Sequence, residues 1–252
     1  MKKTLIMLSM CVLFFGCTRD WGSPTTKNYP INGTYTGLDV SSAFQVTVSD
    51  EVNDVVVTVG NLAHPRVIVK VKEGKLHIGF MPHTLYNGVA TAVIPASVIR
   101  DLELSGASSF TGNLSGDKVG VDLSGASTFK GNIEARDLDF EISGASTCVS
   151  YIETKNLDID LSGASTATLE GRCWDKMEME LSGASHLNAI GLDATDVHGT
   201  MSGASDADVT CCSNLNVELS GASTLTYGTY SNECHPNINC PASGGSVVRP
   251  RN

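Results

Sequence analysis

The chain has 252 residues, with 17 Lys and Arg against 27 Asp and Glu and a formal net charge of -10. A hydrophobic share of 41% suffices for a core and excludes global disorder. The acidic balance excludes a nucleic-acid binder, which needs clustered Lys and Arg against phosphates. Low aromatic (6%) and charged (17%) content with 25 glycines points to an all-β protein with tight corners.

In chain order, the first expected element is an export signal over residues 1–16. Lys2 and Lys3 precede an apolar run over 4–15 that is too short to span a bilayer comfortably. The run closes on Phe14-Phe15-Gly16-Cys17, which resembles the lipobox of bacterial lipoproteins. That resemblance implies cleavage before Cys17 and acylation of Cys17. The membrane would then be a partner through a lipid anchor, at the outer membrane of a bacterial envelope. An ordinary secretory signal or a short buried segment is the alternative. Residues 17–30 carry Gly22, Pro24 and Pro30 and read as a flexible tether. Residues 31–104 are β-rich: 55–59, 66–71 and 75–80 alternate apolar and polar, and Glu73-Gly74 signals a turn. They read as irregular first coils or a cap.

Residues 105–230 carry the repeat that sets the fold. Ser-Gly-Ala-Ser begins at Ser105, Ser124, Ser143, Ser162, Ser182, Ser202 and Ser220, at intervals of 19, 19, 19, 20, 20 and 18 residues. A fixed period near 20 without helical patterning signals a solenoid. One, three and five places before each tetrapeptide, 19 of 21 residues are large and apolar; only Arg100 and Gly199 depart. Period-two alternation makes this an inward-facing strand. Stacked at about 4.8 Å, such strands make a parallel sheet over one core, each buried aliphatic side chain contributing roughly 1.5–3 kcal/mol. Phe110, Phe129, Cys148, Ala167, Leu187, Ala207 and Leu225 form a second inward column, and a third short strand begins near Leu114, Ile133 and Ile152. The expected fold is therefore all-β, a single-stranded parallel β-helix with 19–20 residues per coil, right-handed by the usual crossover sense. The glycine is expected to make a sharp corner and the alanine to fit the interior beside it. Residues 231–252 read as a C-terminal cap or tail.

The mature chain resembles the auto-transporter adhesin, head GIN domain family of bacterial lipoproteins. The matching residues are Phe44-Gln45-Val46-Thr47-Val48, Val67-Ile68-Val69-Lys70-Val71, Gly74-Lys75-Leu76-His77-Ile78, Ile94-Pro95 and the Leu104-Ser105-Gly106-Ala107-Ser108 type of repeat. The resemblance implies a β-helical, surface-associated protein with an adhesive role, and carries no catalytic residues with it.

Outside the core columns, Glu103, Asp122, Glu141, Asp160, Glu180 and Glu218 stand two places before their tetrapeptides, with Thr200 in the sixth coil. Asp101, Asp139, Asp158 and Glu178 stand four places before. This acidic stripe reads first as a solvated face that blocks sheet stacking. A weak Ca²⁺ stripe bridging adjacent coils is the alternative, since a flat sheet offers few of the 6–8 oxygens Ca²⁺ takes. No other cofactor is expected. Past the corner, Ser109, Thr128, Thr147, Thr166, His186, Asp206 and Thr224 form a hydroxyl-rich strip. It reads as hydroxyls satisfying one another and the backbone, or as a flat surface for a glycan or protein partner, with ice binding a remote third reading. The direction of the second tetrapeptide serine stays open, because the corner resets the alternation. Cys234 and Cys240 flank a short loop and are the expected disulfide; Cys173, Cys211 and Cys212 are unassigned. No Cys/His spacing resembles a zinc site, and no nucleophile-elbow or phosphate-loop motif appears. A polysaccharide lyase or glycosidase is the rival class; its site would be sought near His198 and Asp208, where the repeat pattern breaks. The reading is a binding or structural module rather than an enzyme.

Overall fold

A computed structural model of the protein describes residues 20–251. The expected signal over 1–16 and the lipidation site Cys17 lie outside the described residues. The fold is a parallel β-solenoid of about 8 turns with about 19 residues per turn.

From residue 20 on, the segment expected to be a tether is tied to the fold. Trp21 is buried, and β1 (Pro24–Tyr29) forms an antiparallel ladder from Pro24↔Gly60 to Tyr29↔Val55. The next two strands, β2 (Gly37–Val40) and β3 (Phe44–Ser49), make the first coil. The chain then runs outward through β4 (Val55–Gly60) and β5 (Val67–Lys72), stacks β6 (Lys75–Phe80) and β7 (Ala90–Pro95) in parallel on one side of that coil, and continues on its other side with β8 (Asp101–Leu104) and β9 (Ser109–Thr111). As a result β2 lies between β6 and β8, and β3 lies between β7 and β9. Outside them β5 pairs antiparallel with β6, and β4 pairs antiparallel with β7 and β1. Residues 31–104 are thus both a first coil and a cap. The cap closes a stack that would otherwise end in unpaired backbone groups, and the outermost β5 presents exposed Lys70 and Lys72 along its edge. Trp21, Phe44, Phe80 and Tyr86 form its aromatic interior, with ring centroids 4.9 to 5.7 Å apart.

The regular coils follow as β10 (Leu114–Leu123), β11 (Thr128–Ile142), β12 (Thr147–Leu161), β13 (Thr166–Leu181), β14 (His186–Met201), β15 (Asp206–Leu219) and β16 (Thr224–Gly228). Each long strand bends twice and contributes to three faces. In β11, residues from Thr128 form the second face, those around Ile133 the third, and Leu138 to Ile142 the first face of the next coil. All neighbours pair in parallel, with Phe129↔Cys148, Ile133↔Ile152 and Phe140↔Ile159 in register. Every one of the 19 expected inward apolar residues is buried, as is the whole second column. Identical rungs let Phe110 and Phe129 stack at 6.1 Å. The two departures have local causes. Arg100 is exposed and Ile99, one place earlier, is buried. Gly199 has φ +152, and a Cβ there would meet the Met179 carbonyl oxygen at 1.9 Å.

At each corner the glycine holds a left-handed conformation. At Gly144, with φ +72, a Cβ would lie 2.4 Å from the Gly125 carbonyl oxygen of the coil below, so both chirality and space demand glycine. The ladder continues through the corner, as in Ala145 N–H to Gly125 O at 2.7 Å. The alanine, expected inside, is exposed, and the second serine is buried in all seven tetrapeptides. The reason is that glycine and alanine occupy the turn tip and alternation resumes at the serine. Ser127 Oγ caps its own corner by donating to Ser124 O at 2.7 Å.

The tail is one more coil, the eighth counted from the first tetrapeptide. β17 (Asn237–Asn239) stacks on Asn214 to Asn216, and β18 (Val247–Pro250) stacks on Thr224 to Tyr227. Ser243-Gly244-Gly245-Ser246 forms its corner, with Gly244 at φ +71 over Gly221. A glycine in place of alanine and a longer spacing hide this repeat. The longer spacing houses a disulfide between Cys212 and Cys234, with Cα atoms 4.6 Å apart. The expected pairing of Cys234 with Cys240 is therefore incorrect. Stacking of β17 on β15 aims the Cys240 thiol at Leu215 O, while the loop carries Cys234 to Cys212.

Candidate binding surfaces

The first face carries the acidic stripe. Alternation turns every second side chain outward, and register places Glu103, Asp122, Glu141, Asp160 and Glu180 one above another, then Thr200 and Glu218. Asp139, Asp158 and Glu178 stack alongside. Burial, then the neighbouring carboxylates, raises the pKa of Asp122, Asp158 and Asp160 above the usual carboxylate value. The stripe has two cationic interruptions. Lys75 of the cap reaches Asp101 at 2.5 Å and also Glu103, and Lys176 reaches Glu178 at 2.5 Å. Burial opposes the charge on Lys75, but hydrogen bonds and attraction from the two carboxylates outweigh it and hold its pKa above the ordinary value. Among the described residues no three His, Cys, Asp or Glu side chains converge as a metal site requires. One carboxylate per coil per column makes a charged wall, not a cage.

The second face carries the hydroxyl strip, with Thr128, Thr147 and Thr166 in register and His186 facing Asp206 at 3.4 Å. His198 and Asp208 are not brought together. His198 stands over Glu178 on the first face, whereas Asp208 stands over Asn188 on the second, and the corner at 202–205 separates them. The register is unshifted at both residues, so the break in the repeat there is a change of side chains on regular strands and not a convergence of these two groups.

The third face was the least legible in the sequence, because its strands are short and its spacing varies. It holds an open groove of about 640 Å³ running from Ser115 and Asp117 across Glu134, Arg136, Glu153 and Lys155 to Trp174. Arg136 bridges Asp117 at 3.2 Å and Asp137 at 2.8 Å; these hydrogen-bonding and charge contacts raise the arginine's pKa. Asp137, held by hydrogen bonds from Asn156 and Arg136, is lowered. Tyr151 donates to Glu153 at 3.2 Å, and Lys155 faces Asp175 at 3.5 Å. Trp174 is 48% exposed. One sequence signal marked the place: the tetrapeptide interval lengthens from 19 to 20 after Ser162.

Among the described residues four thiols stay free, three of them in the core. Cys148, Cys173 and Cys211 are buried; burial raises the Cys173 pKa to about 11 and pushes Cys148 higher still. Cys173 and Cys211 each close the bend between third and first faces by donating to a carbonyl three residues on, Lys176 O and Asn214 O.

The fold recurs in solved structures of low sequence identity. A protein described as a "Putative lipid binding protein" from Parabacteroides distasonis is 17% identical with a TM-score of 0.81, covering 92% of this chain and 98% of that one. A "putative adhesin" from Parabacteroides merdae is 18% identical with a TM-score of 0.80, covering 92% and 97%. A second "putative adhesin" from P. distasonis is 21% identical with a TM-score of 0.77, covering 91% and 98%. These relatives are named for adhesion or lipid binding and not for catalysis. No curated protein matches the sequence. The family model described as "Putative auto-transporter adhesin, head GIN domain" matches residues 34–229, which span the cap from β2 onward and all seven tetrapeptides, and the chain belongs to that family.

Proposed function

We propose that the protein is a cell-envelope lipoprotein, anchored to the outer membrane through Cys17, that acts as an adhesin-like binding or structural module without catalysis. The observation that carries this reading is the repetition of outward side chains coil after coil. Such faces present an extended surface to a macromolecule, whereas a hydrolytic or lyase site needs carboxylates gathered in one cleft. Family membership supports the adhesive role, and the lipobox-like Phe14-Phe15-Gly16-Cys17 supports the anchor. Trp21 is buried in the cap only four residues beyond Cys17, so an anchored molecule holds its cap near the membrane and its C-terminal coil away from it.

The anchor is tested by metabolic labelling with a palmitate analogue. The wild-type protein takes up label and Cys17→Ala does not; equal labelling of both refutes acylation at Cys17. The binding role is tested by displaying the protein on cells and measuring adhesion to epithelial and mucin-coated surfaces. Expected is adhesion above that of cells lacking the protein. Release of soluble product from polysaccharides incubated with the purified protein would instead establish the rival polysaccharide-active enzyme.

A further inference from the structure

We propose that the third-face groove is a carbohydrate-binding site for an oligosaccharide of neutral or amino sugars, with Trp174 as its stacking platform. This rests on the reading of the protein as a surface-binding module. The starting observation is an irregularity. Cys173 pairs with Ala194 and Lys176 with Asp196, so Trp174 and Asp175 together oppose the single residue Thr195. On the other side the same two oppose Lys155. The 20-residue interval after Ser162 is therefore a one-residue bulge at this place. A bulge re-aims side chains, and here it turns the larger of the chain's two tryptophan exposures to solvent: Trp174 is 48% exposed, against 6% for Trp21. The bulge is well made. Thr195 Oγ1 donates to Trp174 O at 2.9 Å, and Cys173 Sγ donates to Lys176 O at 3.2 Å. Folding gains little from it, since half of a large apolar ring stays in water that a 19-residue coil would have had no need to expose.

The surroundings select the ligand class. A tryptophan face stacks on flat apolar surface, and the C–H face of a pyranose is such a surface. Beside it Glu134 and Glu153 offer acceptors to hydroxyls, while Arg136 and Lys155 offer donors. Two of these groups are held in place: Arg136 by Asp117 and Asp137, and Glu153 by the Tyr151 hydroxyl. Such pre-organisation lowers the entropy lost on binding. From β10 to β13 the groove crosses three coil spacings, about 14 Å, which suits several linked sugars rather than one. A peptide adding as a strand is disfavoured, because the backbone groups along the groove are already paired between coils. Carboxylates outnumber cations in the lining, which disfavours phosphorylated or uronate-rich chains.

The test uses the full chain, Trp174→Ala and Trp174→Phe on an array of neutral, amino-sugar and uronate oligosaccharides, with melting curves to confirm that each folds. The expected result is wild-type binding to neutral or amino-sugar chains, an affinity loss of about tenfold or more in Trp174→Ala, and partial retention in Trp174→Phe. The bound oligosaccharide should also protect Trp174 fluorescence from acrylamide, the buried Trp21 being insensitive in either state. Glycan binding unchanged in a folded Trp174→Ala, binding confined to uronates or to peptides, or no glycan binding at all overturns the inference. If cells displaying the protein still adhere in that last case, the adhesin-like reading stands and only this site falls; if adhesion is absent as well, both fall.

Discussion

The regular coils and the N-terminal cap use the same physical device in opposite ways. In the coils, every contact between neighbours repeats, so Gly144 on Gly125 and Phe140 on Ile159 are instances of one rule. In the cap each pairing is unique. The corner of the first coil shows the contrast. Ser42 and Ala43 hold φ 64 and 63 where the repeats place glycine and alanine, and strands β4 and β5 run antiparallel to their neighbours. Repetition stabilises an interior cheaply but leaves open ends; irregularity closes an end and tolerates local strain to do so.

The largest effect expected from breaking this comparison is at a regular corner. Gly144→Val places a Cβ 2.4 Å from a backbone oxygen at φ +72, and should lower stability by about 3 kcal/mol or more in denaturant unfolding. A loss under about 1 kcal/mol would mean the corners are pliable. Next comes the far end. The Cys212–Cys234 disulfide, 22 residues apart in sequence, should contribute about 3 kcal/mol, lost alike in Cys212→Ser and Cys234→Ser, while Cys240→Ser leaves the bond intact by mass spectrometry. At the cap corner the sign should reverse. Ser42→Gly relieves a left-handed serine and should raise stability by about 1 kcal/mol, offset in part by the weak hydrogen bond its hydroxyl accepts from Phe80 N–H at 3.4 Å. The smallest effect is electrostatic. Asp122, Asp158 and Asp160 have raised pKa values, so the folded state takes up protons before the unfolded chain does. Their contribution is fully present below the ordinary carboxylate pKa and is lost as pH rises through their folded values; Asp137, lowered, contributes with the opposite sign. Asp160→Asn should therefore raise the melting temperature at pH 7, flatten its decline as pH rises above the ordinary carboxylate value, and do less in high salt, each removed repulsion amounting to about 1 kcal/mol or less.

Much of the core was legible because a residue and its partner one coil away share a type and a spacing. Once Leu123, Ile142 and Leu161 line up in sequence, their stacking follows from the need to bury one face of a strand. The acidic stripe was legible for the same reason. The eighth corner, Ser243-Gly244-Gly245-Ser246, was missed because two changes together broke the pattern, though the stacking glycine was retained. Trp174 was missed because a bulge reads, along the sequence, as drift in a repeat length.

What the sequence determined by itself is the coil period, the inward columns and the outward acids, since all of these follow from alternation and recurrence, which are local quantities. Tertiary structure alone decided that serine rather than alanine enters the interior, that Pro24–Tyr29 joins the cap, that Cys234 meets Cys212, and that a tryptophan borders a charged groove. Each of these depends on where two unrepeated segments meet in space, and a single occurrence carries no period from which that meeting could be read.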